Sequence, residues 1–138
     1  MTAVIAYVDG ASRGNPGDAA YGVLVSSTEG VELAAFGDFL GTRTNNYAEY
    51  SGLLAALAWA LEHEVHELEV VSDSELMVKQ MNGKYRVKSP KLRPLFEEAR
   101  ARARKLERFR IRHVLRHDNV DADRLANAAI DARGPFSD

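Results

Sequence analysis

The feature that most restricts the fold of this chain is a change in its hydrophobic period near residue 45. Before that point lie three β-rich runs, residues 4–9, 19–27 and 31–40, each bounded by turn-forming residues. The first turn is assigned to residues 10–18, so Asp9 is predicted to end the first strand. Three consecutive strands with short links predict an antiparallel meander.

From Asn46 to about His63, Ala and Leu recur at helical spacings, and Asn46 with Glu49 has the pattern of a capping box. The rest of the chain predicts two further strands, 68–71 and 109–115. It also predicts a short helix that opens in Ser72-Asp73-Ser74-Glu75 and ends near Asn82-Gly83, and helices over about 91–107 and 121–132. The order βββ-α-β-α-α-β-α predicts an α/β fold: a mixed five-stranded sheet with helices on both faces. With no repeat or linker, residues 1–138 are expected to form a single domain.

Composition limits the chemistry. There is no cysteine, so any metal must be held by oxygen or imidazole ligands. No apolar run approaches the about 20 residues needed to cross a bilayer, and we expect a cytoplasmic protein. The net charge of −2 hides an asymmetry: residues 79–116 carry +11 and the rest −13. A basic block beside an acidic block is typical of a phosphate-binding face next to a metal-binding one, although a solvated helix face would look similar.

Four carboxylates are predicted where strands or helices begin or end: Asp9, Glu49, Asp73 and Asp123. Three of them also have ordinary structural explanations, since Glu49 could close a capping box, Asp73 could cap a helix, and Asp123 could complement a helix dipole. Asp9 is harder to explain in this way. It interrupts an apolar strand, where an unpaired buried carboxylate is costly and needs a metal, a cation or solvent.

Four segments containing these acids together resemble the signature blocks of type 1 ribonuclease H, in the same order and with similar spacing. They are Tyr7-Val8-Asp9-Gly10-Ala11-Ser12-Arg13-Gly14-Asn15-Pro16-Gly17, Thr42-Arg43-Thr44-Asn45-Asn46-Tyr47-Ala48-Glu49, Val71-Ser72-Asp73-Ser74 and Asn119-Val120-Asp121-Ala122-Asp123-Arg124-Leu125-Ala126. The resemblance covers nearly the whole chain. It implies a ribonuclease H-like fold and an endoribonuclease that hydrolyses the RNA strand of RNA–DNA hybrids, leaving 5′-phosphate and 3′-hydroxyl ends.

The resemblance also implies the roles of the acids. Asp9, Glu49, Asp73 and Asp123 match the family's metal-binding and catalytic carboxylates, which implies two Mg²⁺ ions per active site, with Mn²⁺ as a substitute. The chemistry agrees, because Mg²⁺ prefers oxygen ligands and two ions about 4 Å apart can flank a scissile phosphate.

The family's substrate contacts transfer to matching positions of this sequence. Amides that match the minor-groove positions can both donate and accept hydrogen bonds, and a phosphate pocket and an RNA contact match other positions. The residues implied are Ser12, Asn15, Arg43, Thr44, Asn45, Asn46 and Ser74. Without the resemblance, Asn15-Pro16-Gly17 would be read as a turn and Asn46 as a cap.

Two family features have no counterpart here. The Trp-rich basic protrusion is missing, and Lys84, Arg86 and Lys88 on a short extended segment are predicted to supply a smaller basic handle. There is no room for the Gly-His loop before the last helix, so Arg116 or His117 is expected to replace its histidine, with Arg116 favoured. The chain therefore resembles the short forms of the family, some of which are linked to cleavage of double-stranded RNA. The sequence leaves that activity open.

Two alternative functions share part of this sequence pattern. Another metal nuclease of the same fold, such as a transposase or Holliday-junction resolvase, would share the acids but not the Asn-Pro-Gly turn. A catalytically silent hybrid- or RNA-binding module has no reason to keep four mutually repelling acids. The expected partner is therefore the hybrid itself, with no membrane and no obligate protein partner, and the expected state is a monomer.

Overall fold

A computed structural model of the chain describes residues 2–138. The strands are β1 (Ala3–Gly14), β2 (Gly17–Ser27), β3 (Glu32–Arg43), β4 (Glu67–Ser72), β5 (Arg108–His113) and β6 (Phe136–Ser137). The helices are α1 (Asn45–Glu62), α2 (Glu75–Met81), α3 (Arg93–Ala103) and α4 (Val120–Ala132). A single 3₁₀ turn, Arg116–Asp118, lies between β5 and α4.

The strands form one mixed sheet in the order β5-β4-β1-β2-β3-β6. The β1–β2 and β2–β3 pairs are antiparallel, whereas β4 pairs in parallel with both β1 and β5. This confirms the predicted α/β architecture, with one correction. The sheet has six strands, because Phe136 and Ser137 pair antiparallel with Gly37 and Phe36. A two-residue strand after Gly134-Pro135 has no alternating pattern that a sequence reading could recognise.

Helices cover both faces of the sheet. A Cβ atom on Gly10 would lie 2.3 Å from the backbone of Glu49 in α1, and one on Gly22 would lie 2.3 Å from the carbonyl oxygen of Ala122 in α4. Gly22 is the cross-strand partner of Asp9, the residue before Gly10. Because successive strand residues point to opposite faces, α1 and α4 lie on opposite sides of the sheet. The main core lies under α1, where β1 contributes Val4, Ala6 and Val8.

Several predicted boundaries were wrong, and three of them bear on the site or its supports. Strand β1 continues to Gly14, so Asp9 lies inside a strand rather than at its end. The β1–β2 ladder runs unbroken to the Gly14–Gly17 pair, and this pairing with the next strand overrides the turn propensity of residues 10–14. It is β4 that ends beside Asp9, with Ser72 paired to Val8.

The other two corrections concern helix ends. Helix α3 spans Arg93–Ala103 rather than residues 91–107, and Pro94 lies in its first turn, where a missing N–H is tolerated. Helix α1 is capped by Thr44, whose hydroxyl accepts from the Tyr47 N–H at 3.2 Å. Asn46 is therefore inside the helix and does not form the predicted capping box. Within residues 2–138, no helix combines the length and apolar character needed to span a membrane.

Candidate active site

Three carboxylates from different elements meet at the end of β4. Asp9 lies on β1, Glu49 in α1, and Asp73 directly after β4. One carboxylate oxygen from each can be chosen so that all three lie within 4.8 Å of one another. Asp9 and Glu49 are buried, at 5% and 8% exposure, while Asp73 is half-buried. Parallel pairing of β1 with β4 brings the first and third acids together, as the sequence predicted for residues from separate segments.

Gly10 joins the two buried acids. Its N–H donates to Oδ1 of Asp9 and to Oε1 of Glu49, both at 3.0 Å. The backbone of Ala48 and Glu49 packs so closely here that a side chain at position 10 would overlap it. A glycine is therefore required for α1 to approach β1, and this approach aligns Glu49 with Asp9.

Ser72 is a supporting residue that the sequence reading quoted in its motif but gave no role. Its side chain is completely buried. The hydroxyl donates to Oε2 of Glu49 at 3.5 Å and accepts from the Ser74 N–H at 3.0 Å. It thus ties Glu49 to the loop that carries Asp73. In the sequence, the signal for this supporting role was the position of Ser72 at the end of a strand and directly before an acid.

The fourth acid, Asp123, lies in the first turn of α4 and is not one of the three grouped carboxylates, although it is near enough to contribute to the raised pKa of Asp9. Its Oδ1 accepts from Nδ2 of Asn127 at 3.3 Å. Asn119, 2% exposed, precedes α4 and donates from Nδ2 to the Val8 carbonyl oxygen at 2.8 Å. Its Oδ1 is buried without a hydrogen-bond partner among residues 2–138. Asn119 therefore fastens the start of α4 beside Asp9, a second supporting residue that received no predicted role.

The electrostatics of the buried pair are those of a site that favours cations. Burial, followed by the charge of Glu49, raises the pKa of Asp9 far above its usual range. Burial also raises the pKa of Glu49, although hydrogen bonds from Asp9 and Gly10 oppose the shift. Clustered carboxylates disfavour one another's ionisation unless a cation is present. A set made only of carboxylate oxygens fits a hard divalent ion such as Mg²⁺.

Four of the predicted substrate residues line one groove beside α1. The groove has a volume of about 690 Å³, and its walls include Asn15, Arg43, Thr44 and Asn46, together with Lys91. Oδ1 of Asn15 accepts from the Asn45 N–H at 3.0 Å, so the Asn-Pro-Gly turn is fastened to the start of α1. Two sequence blocks 30 residues apart thus form one surface.

Ser12 and Arg43 stabilise this surface through their own contacts. The Ser12 hydroxyl donates to the Gly14 carbonyl and to the Arg43 carbonyl, the latter at 2.9 Å. The Arg43 guanidinium lies 4.6 Å from the centre of the Tyr47 ring. Ser74 caps α2, its hydroxyl accepting from the Met77 N–H.

The remaining predicted residues lie outside the acid cluster. Lys84, Arg86 and Lys88 are exposed on an irregular segment after α2. Arg116 and His117 are exposed in the 3₁₀ turn, and His117 Nε2 lies 3.4 Å from Oδ2 of Asp118. His117 also lines a cavity of about 350 Å³ with Tyr7 and Leu24, and none of the four acids lines it.

Comparison with known proteins agrees with this geometry. A family model described as reverse transcriptase-like matches residues 7–129. Ribonuclease HI of Halobacterium salinarum is 45% identical over 132 residues, which cover 93% of this chain and 64% of the relative. Bifunctional protein Rv2228c of Mycobacterium tuberculosis is 44% identical over 130 residues, covering 94% of this chain and 36% of the relative. The chain thus spans between about a third and two thirds of the length of these relatives.

Two solved ribonuclease H1 structures are also similar to this chain in fold and sequence. RNase H1 from Halobacterium salinarum superposes with a TM-score of 0.91 at 43% identity, covering 94% of this chain and 98% of that one. LC11-RNase H1 in complex with an RNA/DNA hybrid superposes with a TM-score of 0.88 at 38% identity, covering 94% and 97%.

Proposed function

The chain belongs to the type 1 ribonuclease H family, in its short form, and we propose on that premise that it hydrolyses the RNA strand of RNA–DNA hybrids. The observation that carries the proposal is the convergence of Asp9, Glu49 and Asp73; Asp123, in the first turn of α4, is proposed to complete the set. A similar chain, LC11-RNase H1, has been crystallised with an RNA/DNA hybrid, which supports the choice of substrate.

The four acids are proposed to hold two Mg²⁺ ions, with Mn²⁺ as a substitute. Bound ions of this kind activate a water molecule and stabilise the leaving oxygen of a phosphodiester, which would give 5′-phosphate and 3′-hydroxyl products. The chain's own groups position the ligands. Gly10 and Ser72 hold Glu49 from two sides, and Asn119 holds the helix that carries Asp123.

The substrate groove is proposed to hold the hybrid. Asn15 and Asn46 face it, and their amides can pair with base edges and 2′-hydroxyls, which distinguish RNA from DNA. Arg43, Thr44 and Asn45, with Ser12 supporting their backbone, are proposed to bind a phosphate of the DNA strand. Ser74 is proposed to contact the RNA strand beside Asp73, and Arg116, rather than His117, to assist at the scissile phosphate.

The test is a cleavage assay with end-labelled RNA–DNA hybrid, RNA–RNA, DNA–DNA and single-stranded RNA, each with and without Mg²⁺ or Mn²⁺. Metal-dependent cutting of the RNA in the hybrid, with DNA–DNA intact, is expected. Cutting of RNA–RNA in parallel would extend the activity to double-stranded RNA. A folded chain that binds hybrid but cuts nothing with either metal would overturn the proposal in favour of a silent binding module.

We further propose that the domain acts in the cytoplasm as a monomer without an obligate protein partner. The acids that form the site all come from one chain, so no second copy is needed to complete it. Sedimentation of the active protein at the assay concentration tests this, and activity that rises with dimer concentration would contradict it.

A further inference from the structure

The segment that carries Lys84, Arg86 and Lys88 has neither helical nor strand structure. It begins as α2 ends, where the N–H groups of Lys84 and Tyr85 both donate to the Lys79 carbonyl oxygen. A basic segment without ladder hydrogen bonds would sample many conformations unless side chains held it. Residues 86–88 therefore depend on contacts with the rest of the domain for a fixed conformation.

Two consecutive hydrogen bonds through the buried side chain of Gln80 provide one such contact. The Tyr50 hydroxyl, on α1, donates to Oε1 of Gln80 at 2.6 Å, and Nε2 of Gln80 donates to the Arg86 carbonyl oxygen at 3.4 Å. Tyr50 is 1% exposed and Gln80 is 4% exposed. An amide both accepts and donates, so Gln80 satisfies the tyrosine and reaches the segment with the same side chain. An apolar residue could do neither.

A second contact lies one residue further along. The Val87 side chain is buried in the main core, and its carbonyl oxygen accepts from Nη1 of Arg93 at 3.5 Å. Arg86 and Lys88, on either side of Val87, are exposed. Gln80, Arg93 and the buried Val87 side chain thus hold the backbone at 86–87, while the side chains of Arg86 and Lys88 are exposed to solvent.

Among the residues that the structure describes, these cations form no ion pair. Within residues 2–138, the ion pairs of the basic block involve Lys79, Arg93, Arg102 and three arginines of β5. None involves Lys84, Arg86 or Lys88. Their charge is available to an external polyanion.

We propose that Gln80 is a positioning residue for nucleic-acid binding: it holds the 84–88 segment in the conformation that presents Arg86 and Lys88 to the phosphates of the substrate. This inference rests on the proposed function. Holding the segment before binding removes an ordering cost that would otherwise reduce affinity. Gln80 does not touch the acids, so its effect belongs to substrate binding and not to the chemical step.

The direct test is Gln80→Met, which keeps the volume and removes both hydrogen bonds. We expect KM for the hybrid to rise about fivefold, the value of one ordinary hydrogen bond, with kcat within twofold of the unchanged chain. Amide hydrogen exchange should accelerate at residues 86–88 and stay slow in β1. Val78→Ala, on the same helix, removes buried apolar volume without touching this chain of bonds, so it should lower stability and leave KM unchanged.

A double variant separates positioning from stability. Gln80→Met leaves the Tyr50 hydroxyl buried without a partner, which destabilises the fold, whereas Tyr50→Phe combined with Gln80→Met removes both polar partners and should recover much of that loss. The Arg86 carbonyl stays untethered in the double variant, so KM should remain high although the melting temperature recovers.

Two results would overturn the inference. One is an unchanged KM in Gln80→Met under conditions where the variant is folded; the other is a KM that recovers in the double variant together with stability. Failure of the proposed function is distinguishable from both, because it would appear as no hybrid cleavage by the unchanged chain. Direct hybrid-binding measurements on the two variants would then still report on Gln80.

Discussion

The four acids and the basic segment 84–88 carry opposite charge and are held in different ways. Asp9 lies inside the β1–β2 ladder, and Glu49 lies on an 18-residue helix. Further hydrogen bonds from Gly10 and Ser72 hold Glu49 in place. Residues 86–88 have no ladder and depend on Gln80, Arg93 and the buried Val87.

The difference fits the roles proposed for the two regions. Carboxylates that share a metal need fixed separations, and the sheet supplies these at the cost of buried, mutually repelling charge. Cations that contact phosphates remain in water until the substrate arrives and act mainly through charge. Changes in the acid region should therefore affect catalysis and folding together, whereas changes in the basic segment should affect affinity alone.

The largest expected effect is that of Asp9→Asn. It removes a proposed metal ligand but keeps the volume, so cleavage should fall at least about a thousandfold, in line with the several kcal/mol that a metal supplies to a transition state. Single-turnover cleavage with Mg²⁺ and with Mn²⁺ measures this. The circular dichroism spectrum and hybrid affinity should be retained, and an active Asp9→Asn protein would contradict the two-metal assignment.

Gly10→Ala tests whether one change beside the acids lowers both the stability of the fold and kcat. The added Cβ would lie 2.3 Å from the backbone of Ala48 and Glu49, so stability should fall by about 3 kcal/mol, the upper range for overpacking, and kcat should fall with it. Urea unfolding and steady-state kinetics check the two effects. Gly30→Ala is the matched control: its φ is +87° but nothing lies within 4 Å, so it should cost about 1 kcal/mol and leave kcat unchanged.

The metal-free protein should reveal the repulsion at the acids. The pKa of Asp9 is raised by burial and by Glu49, so the folded state holds a proton that the unfolded chain has already released. Stability should then fall as pH rises above the ordinary carboxyl pKa of about 4. In chelator, Asp9→Asn should be more stable than the unchanged chain at pH 7–8, and equal or less stable at pH 4. Melting temperatures measured across this pH range would contradict the idea if the difference between the two proteins stayed constant.

The smallest effect is expected in the basic segment. Lys88→Gln removes one free cation, so the slope of log affinity against log salt should decrease by somewhat less than one unit per lost phosphate contact, with kcat unchanged. Lys105→Gln, an exposed lysine just after α3, serves as the control and should leave the slope unaltered. Equal slopes for all three proteins would show that Lys88 meets no phosphate.

Much of the fold was readable from local pattern. The switch from strand to helix near residue 45 and the clean alternation of residues 109–115 correctly predicted the elements, because each reflects the face that a segment buries. The four acids were assigned by a different route, through the segments that resemble type 1 ribonuclease H, because Glu49, Asp73 and Asp123 taken singly also have ordinary structural explanations. The length of β1, the cap of α1 and the strand β6 were missed. Strand β6 depends on a partner distant in the chain, and the length of β1 depends on its pairing with β2, whereas the cap of α1 is a local contact between Thr44 and Tyr47.

The sequence by itself, through its resemblance to a known family, predicted which residues carry the chemistry: four acids, two asparagine-bearing segments and a basic block. Only the tertiary structure decided how they are joined. Gly10 on β1 and Gly22 on β2 permit two helices to approach the sheet from opposite faces. Ser72 holds Glu49 and Asn119 holds the start of α4, and Gln80 links Tyr50 to a segment 36 residues further along the chain. The physical reason is that a hydrogen bond between distant residues leaves no periodic trace in sequence, because it depends on where folding brings each donor and acceptor.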